Sequence, residues 1–170
     1  MSANLPVVAR FREKFAAEIL SVEEFRGQAV ISVKSTRAVE MMKSLRDDAE
    51  CPFDMLTDLT AVDYLRLDAP ERYAVVYQLL SMLRNERLRV KAYVSEARPE
   101  IGTVSGLWGN ANWLEREVWD LYGIRFLGHP DPRRILMPDD YEGHPLRKDY
   151  PLKGRGERSH FPKYFPEEAP

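Results

Sequence analysis

Cysteine is almost absent from this chain. Cys51 is the one thiol among 170 residues, so an internal disulfide has no second partner, and an iron–sulfur cluster, which needs several thiolates, cannot be held by this chain's own cysteines. Long apolar runs are also missing. No stretch reaches the roughly 18 apolar residues that crossing a bilayer requires, and the N-terminal MSANLPVVARFREKF has no apolar core of signal-peptide type. These absences predict a reducing, cytosolic setting, with membrane association only through partners.

An excess of either charge is missing too. Twenty-five Lys and Arg stand against 27 Asp and Glu, with pI near 6.0, which gives no global attraction to nucleic acid or anionic lipid. Neither GxxxxGK[ST] nor GxGxxG occurs, so no phosphate-cradling loop is expected. No G-x-S-x-G elbow occurs, and Cys51 has no activating neighbour in sequence. No H-x-x-x-H, H-x-x-E-H or C-x-x-C pair supports a metal site.

What is present reads as α+β. Val8, Phe11, Phe15 and Ile19 recur at helical spacing and predict a first helix. Residues 20–25 and 28–33 are short apolar runs separated by Arg26-Gly27, a hairpin. Ser35-Thr36 offers an N-cap hydroxyl to a second helix with Val39, Met42 and Leu45 inward, ended by Cys51-Pro52. Residues 55–62 predict a strand, with Asp58 and Asp63 at its wetter positions or ends. Residues 73–82 and 88–94 predict two more, joined at Asn85-Glu86. The alternation of Leu88, Val90, Ala92 and Val94 with polar neighbours implies one buried face. The expected fold is a mostly antiparallel sheet with helices on one face, followed by a loop over 96–106, a further helix and an extended C-terminal tail.

That third helix runs from about Asn112 through WLEREVWDLY to Gly123 as its C′ glycine. Leu114, Val118 and Leu121 give it an apolar side. Arg116 and Asp120 are four apart and able to pair, while Trp113, Glu117 and Asp120 share a face. A compact domain over 1–122 is therefore expected, and an extended tail over 123–170 that holds eight of the twelve prolines and five of the nine glycines. Ordering such a tail costs roughly 1–2 kcal/mol per residue in backbone entropy. Its dispersed apolar residues, Ile124 and Phe126 among them, cannot build a core, so it must lie on its own domain or on a partner, or stay disordered.

The segment from Trp108 to Leu152 concentrates all three tryptophans, two of the three histidines and many paired charges. Glu115, Glu117 and Asp120 have the residue type of an acid/base or metal cluster, but Arg125, Arg133, Arg134, Arg147 and Lys148 follow closely, and Arg–carboxylate pairing explains them without a substrate. The repeated Gly128-His129-Pro130 and Gly143-His144-Pro145 read as turns, glycine permitting positive φ and proline fixing the backbone. With His160 they supply too few ligands at workable spacing for a metal. Trp108, Trp113 and Trp119 are a large apolar load for one helix, and part of it is expected to meet another protein. The basic segment over 147–158, with Tyr150 and Tyr164, suits a protein-docking strip or, alternatively, a free-standing RNA-binding or chaperone-like module.

ANWLEREVWDLYGIRFLGHPDPRRIL followed by GHPLRKDYPLKG closely resembles the signature region of the C-subunit family of proton-translocating NADH:quinone oxidoreductases, respiratory complex I, supported upstream by DLTAVDY at 58–64. The resembling positions are Glu115, Arg116, Glu117, Asp120, Tyr122, Gly123, Ile124, Gly128, His129, Pro130, Arg133, Arg134, Ile135, Leu136, and then Pro145, Leu146, Arg147, Lys148, Asp149 through Leu152. The resemblance implies a non-catalytic structural subunit of the peripheral arm, on the cytoplasmic side of the membrane. It implies no cofactor in this chain, FMN and iron–sulfur clusters being carried by other subunits, and it implies contacts with the quinone-site and cluster-bearing subunits. Related hydrogenases and ferredoxin- or F420-linked complexes use similar subunits. If the signature charges face partners, Arg134→Ala should spare the domain's own thermal stability; pairing within the chain would instead lower it.

Overall fold

The computed structural model describes residues 6–156. Glu157, Arg158, His160 and Tyr164 lie outside the described residues, as does the rest of the expected tail beyond residue 156.

Helix α1 (Pro6–Phe15) starts on a proline, whose missing N–H is no loss in a first turn, and buries Val7, Val8, Phe11 and Phe15. It stops four residues short of Ile19. The Glu18 N–H closes a turn on the Phe15 carbonyl at 2.9 Å, and Ile19 begins strand β1 (Ile19–Phe25) instead. The hairpin to β2 (Gln28–Lys34) turns on Arg26 (φ 50°) and Gly27 (φ 79°), the two positive φ values that a tight two-residue hairpin needs.

A 3-10 turn (Ser35–Arg37) then leads into α2 (Ala38–Arg46), which ends before Cys51. The Thr36 hydroxyl donates to Glu18 at 2.8 Å rather than capping the helix. Ala38, Met41, Met42 and Leu45 face inward, while Val39, expected there, is 37% exposed.

Strands β3 (Met55–Asp63), β4 (Tyr73–Ser81) and β5 (Glu86–Val94) complete a sheet in the order β1-β2-β5-β4-β3. Every pairing is antiparallel except β2 with β5, which is parallel. Ala29, Ile31 and Val33 of β2, Leu88, Val90 and Ala92 of β5, and Val75, Tyr77 and Leu79 of β4 all join one buried cluster with the inward sides of the helices. The helices thus cover a single face, as the alternation in β5 requires. At roughly 1.5–3 kcal/mol for each large apolar side chain fully buried, this core is ample for a domain of this size.

Two short strands were not legible as such. β6 (Glu100–Gly102) lies in the expected 96–106 loop and pairs in parallel with β7 (Arg125–Leu127); three residues leave no periodic signal. Between them, α3 (Ala111–Tyr122) packs on β3 and ends at Gly123, φ 72°, whose N–H bonds the Trp119 carbonyl at 2.8 Å. The core does not stop at residue 122. Ile124 is fully buried and Phe126 nearly so, both within the same cluster.

Candidate functional site: a charged seam between domain and tail

Of the apolar side of α3 expected from Leu114, Val118 and Leu121, Val118 is core and Leu114 packs against it, but charged residues are buried beside them. The helix's buried residues are Ala111, Glu115, Arg116, Val118 and Asp120, while Leu114 and Leu121 are half-buried. Three charges on one short helix point into protein, and each one holds backbone of the following chain or of the loop before the helix.

Asp120 carries the largest share. Its Oδ2 accepts the N–H groups of Ile135, Leu136 and Met137 at 3.1, 2.8 and 2.8 Å, and its Oδ1 accepts Arg134 Nη1 at 2.5 Å. Burial alone would raise this carboxyl's pKa, but the donated N–H groups and the guanidinium outweigh it and lower the pKa below the ordinary carboxylate range. Arg134 in turn donates to the Tyr141 carbonyl at 2.7 Å and the Gly143 carbonyl at 3.3 Å, flanked by the rings of Trp119 and Tyr141. His144 Nδ1 donates to the Asp120 carbonyl at 2.9 Å.

Arg116 does not pair with Asp120. It donates to the Arg133 and Arg134 carbonyls, both at 2.9 Å, and lies on the Trp113 ring. Once Asp120 had taken three amides and Arg134, the guanidinium one turn earlier was left to collect carbonyls of the same strand of tail. Arg133 pairs with Asp131 on the surface. Trp113 and Glu117 are exposed while Asp120 is buried, so these three share no common surface. Trp108 is core, and Trp119 packs half-buried against it.

Glu115 is fully buried without a cation in hydrogen-bond contact. It accepts the Val104 N–H at 2.6 Å and the Thr103 hydroxyl, and the nearest imidazole nitrogen, His129 Nε2, is 3.8 Å away. His129 accepts the Asp131 N–H at Nδ1 and shares a 3.0 Å contact between Nε2 and the Asn112 carbonyl, which assigns the proton to Nε2. Burial pushes the Glu115 carboxyl up to about 7. The turn at Gly128 (φ 81°) places His129 here, and Gly143 (φ 101°) forms the second GHP turn, both using the glycine as expected. A cavity of about 420 Å³ opens beside Glu115, walled by Trp119, Phe126 and Leu127.

A second anchor lies at the end of β3. Asp63, expected at a wetter position, is 2% exposed. It receives Arg72 at both oxygens (3.1 and 3.0 Å), the Leu65 N–H at 2.9 Å, and the Lys148 N–H at 2.8 Å. Arg72 also pairs with Asp149 at 2.9 Å, and Arg147 donates to the Tyr122 carbonyl at 2.6 Å. The Leu146 N–H adds a bond to the Leu121 carbonyl at 3.0 Å. Pro130 is exposed and Pro145 half-buried at the two turns.

Ile124 and Phe126 belong to the core, but beyond them residues 133–148 are tied down by buried charges rather than by apolar content. The charged signature side chains that point inward are engaged within the chain, and Lys148 is held through its backbone. Asp63, Arg72 and Thr103 belong to the seam and were missed. In a strand, 59, 61 and 63 share a face, and Leu59 and Ala61 are apolar, so the period placed Asp63 inward all along.

The chain matches the family described as "Respiratory-chain NADH dehydrogenase, 30 Kd subunit" over residues 31–156, which contain the whole seam. The chain belongs to this family. It is 51% identical over 154 residues to the C subunit of NADH-quinone oxidoreductase from Geobacter sulfurreducens, covering 91% of this chain and 93% of that one. It is 54% identical over 149 residues to the subunit of the same name from Trichlorobacter lovleyi, covering 88% and 90%. Among solved structures it is similar to a trypsin-resistant fragment of Nqo5, with TM-score 0.63, 38% identity, and 74% of this chain and 96% of that one covered. A chain of an archaeal membrane-bound sulfane sulfur reductase, at 21% identity and TM-score 0.73 over 95% of this chain, shares the fold.

Proposed function

We propose that this chain is a non-catalytic structural subunit of an NADH-quinone oxidoreductase, seated in the peripheral arm on the cytoplasmic side, beside the quinone-site and cluster-bearing subunits. Family membership supports the complex. The use of the signature charges supports the structural role: Glu115, Arg116, Asp120 and Arg134 spend their polar atoms on backbone and on each other, which shapes a surface and leaves little for a substrate. One buried thiol, Cys51, is no donor set for a cluster, so FMN and the clusters are assigned to other subunits. Among the described residues no helix is long and apolar enough to cross a membrane, and attachment to it is assigned to the complex. The exposed Trp113 and Glu117, beside the seam, belong to the surface offered to partners, since a tryptophan 60% exposed is unusual on an isolated domain.

Deleting the chain and adding back variants tests this. Complex lacking the chain should fail to retain its NADH-oxidising portion, and Trp113→Ala should reduce the amount of assembled complex while leaving quinone reduction per assembled complex unchanged. A variant of Glu115, Asp120 or His129 that assembles normally but turns over slowly would overturn the non-catalytic assignment.

A further inference from the structure

A groove of about 540 Å³ lies along the last described part of the tail, walled by Met137, Tyr141, Leu146, Tyr150 and Leu152. Two features separate it from the other cavities. Its lining holds cations and no carboxylate, whereas the cavity between α1 and α2 mixes Arg10 and Lys43 with Glu40 and Asp48, and the one beside Glu115 mixes both signs as well. Its apolar groups are also turned outward: Leu152 is 103% exposed and Leu146 46%.

The charges divide sharply by what they touch. Arg147 is committed inward, to the Tyr122 carbonyl and the face of Tyr73, and Asp149 is turned away onto Arg72. Lys148 and Lys153 remain exposed on the groove without an ion pair among the described residues. The tail backbone beneath them is fixed by the Lys148 N–H on Asp63 and by the Tyr141 and Tyr150 hydroxyls at 2.8 Å from each other, so the groove is held open by the same seam that orders the tail.

We propose that this groove seats a segment of a neighbouring subunit that presents a large apolar side chain flanked by carboxylates. The apolar side chain covers Leu146 and Leu152, and the carboxylates meet Lys148 and Lys153 at the rim, an apolar centre with a charged border. A polyanion such as nucleic acid is the poorer fit. Two lysines are few for a phosphate backbone, and a phosphate backbone would leave the exposed Leu146 and Leu152 uncovered. The proposal rests on the chain's being a subunit of a larger complex and names the chemistry of one contact in it.

The test places a photoreactive benzophenone side chain at position 152 of the full-length chain, in complex purified from membranes, and sequences the cross-linked peptide. A peptide from another subunit with Asp or Glu within a few residues of the attachment is the expected result. Attachment to this chain's own residues 157–170, to a segment without acidic residues, or to nothing in an intact complex would overturn the proposal while leaving the subunit assignment standing. Recovery of the chain free of other subunits would overturn both. The double variant K148E/K153E should lower incorporation into the complex by about tenfold, near 1.4 kcal/mol, without moving the isolated chain's melting temperature, and K148R/K153R should incorporate normally. Normal incorporation of K148E/K153E overturns the proposal.

Discussion

Asp63 and Lys148 are separated by 85 positions, yet the Lys148 backbone N–H donates to the Asp63 carboxylate at 2.8 Å. A fully buried aspartate at the end of a strand thus serves the tail as a fixed acceptor, with Arg72, 7% exposed at its side chain, neutralising it. Asp63→Asn should leave that guanidinium without its buried partner. Removing one member of such a pair costs about 3–5 kcal/mol, and equilibrium urea unfolding of the full-length chain should register a loss of this size together with faster proteolysis of residues 145–156.

Arg134→Ala should destabilise the isolated chain. The sequence alone left open that Arg134 faces a partner, in which case the domain would not notice its loss. The guanidinium instead bonds Asp120 and two tail carbonyls, so its removal strands a buried carboxylate and should cost about 3 kcal/mol or more. Thermal unfolding of the purified chain decides it; an unchanged melting temperature would mean that the tail is not held by this bond.

Glu115 and the two aspartates should respond to pH in opposite directions. The Glu115 pKa is raised to about 7 by burial, so the folded chain holds a proton that the unfolded chain gives up at ordinary carboxyl pH. Its contribution is complete below about pH 4 and is lost as pH rises through 7, at roughly 1.4 kcal/mol per unit of difference. Glu115→Gln should flatten the decline in stability between pH 5 and 8. Asp63 and Asp120 have lowered values because donors outweigh burial, so their contribution is complete at neutral pH and is lost as pH falls below about 4. Asp120→Asn should remove part of the acid-side loss.

Gly123→Ala should be costly for two separate reasons. The residue has φ 72°, and a Cβ there would meet His144 and an Arg147 nitrogen at 2.5 Å. Left-handed backbone at a non-glycine residue costs about 1–3 kcal/mol, and the clash adds displacement of the tail. Chemical denaturation gives the first effect, and tryptic cleavage after Arg147 or Lys148 reports the second.

The domain was readable because its elements are long enough to show a period. β5 alternates cleanly, and the hairpin and the glycine cap of α3 carry their own turn chemistry. The strands β6 and β7 were too short to show anything. The seam was half-readable. Its residues were named, but the apolar face of α3 was assigned to Leu114, Val118 and Leu121 because a helix is expected to bury its hydrophobic stripe, whereas burying Glu115, Arg116 and Asp120 as well is worthwhile only if backbone groups 11 or more positions away come to meet them. Local spacing carries no record of those partners. Arg72, far upstream, was invisible for the same reason, whereas the period of β3 already placed Asp63 on the side of Leu59 and Ala61 and only its partners were hidden.

Amide hydrogen exchange on the full-length chain in isolation tests most directly whether buried charges order the tail. The N–H groups of Ile135, Leu136, Met137 and Lys148 should exchange slowly, the first three losing protection in Asp120→Asn and the last in Asp63→Asn. Fast exchange at all four in the unmodified chain would contradict this and leave the ordering of the tail to its partners.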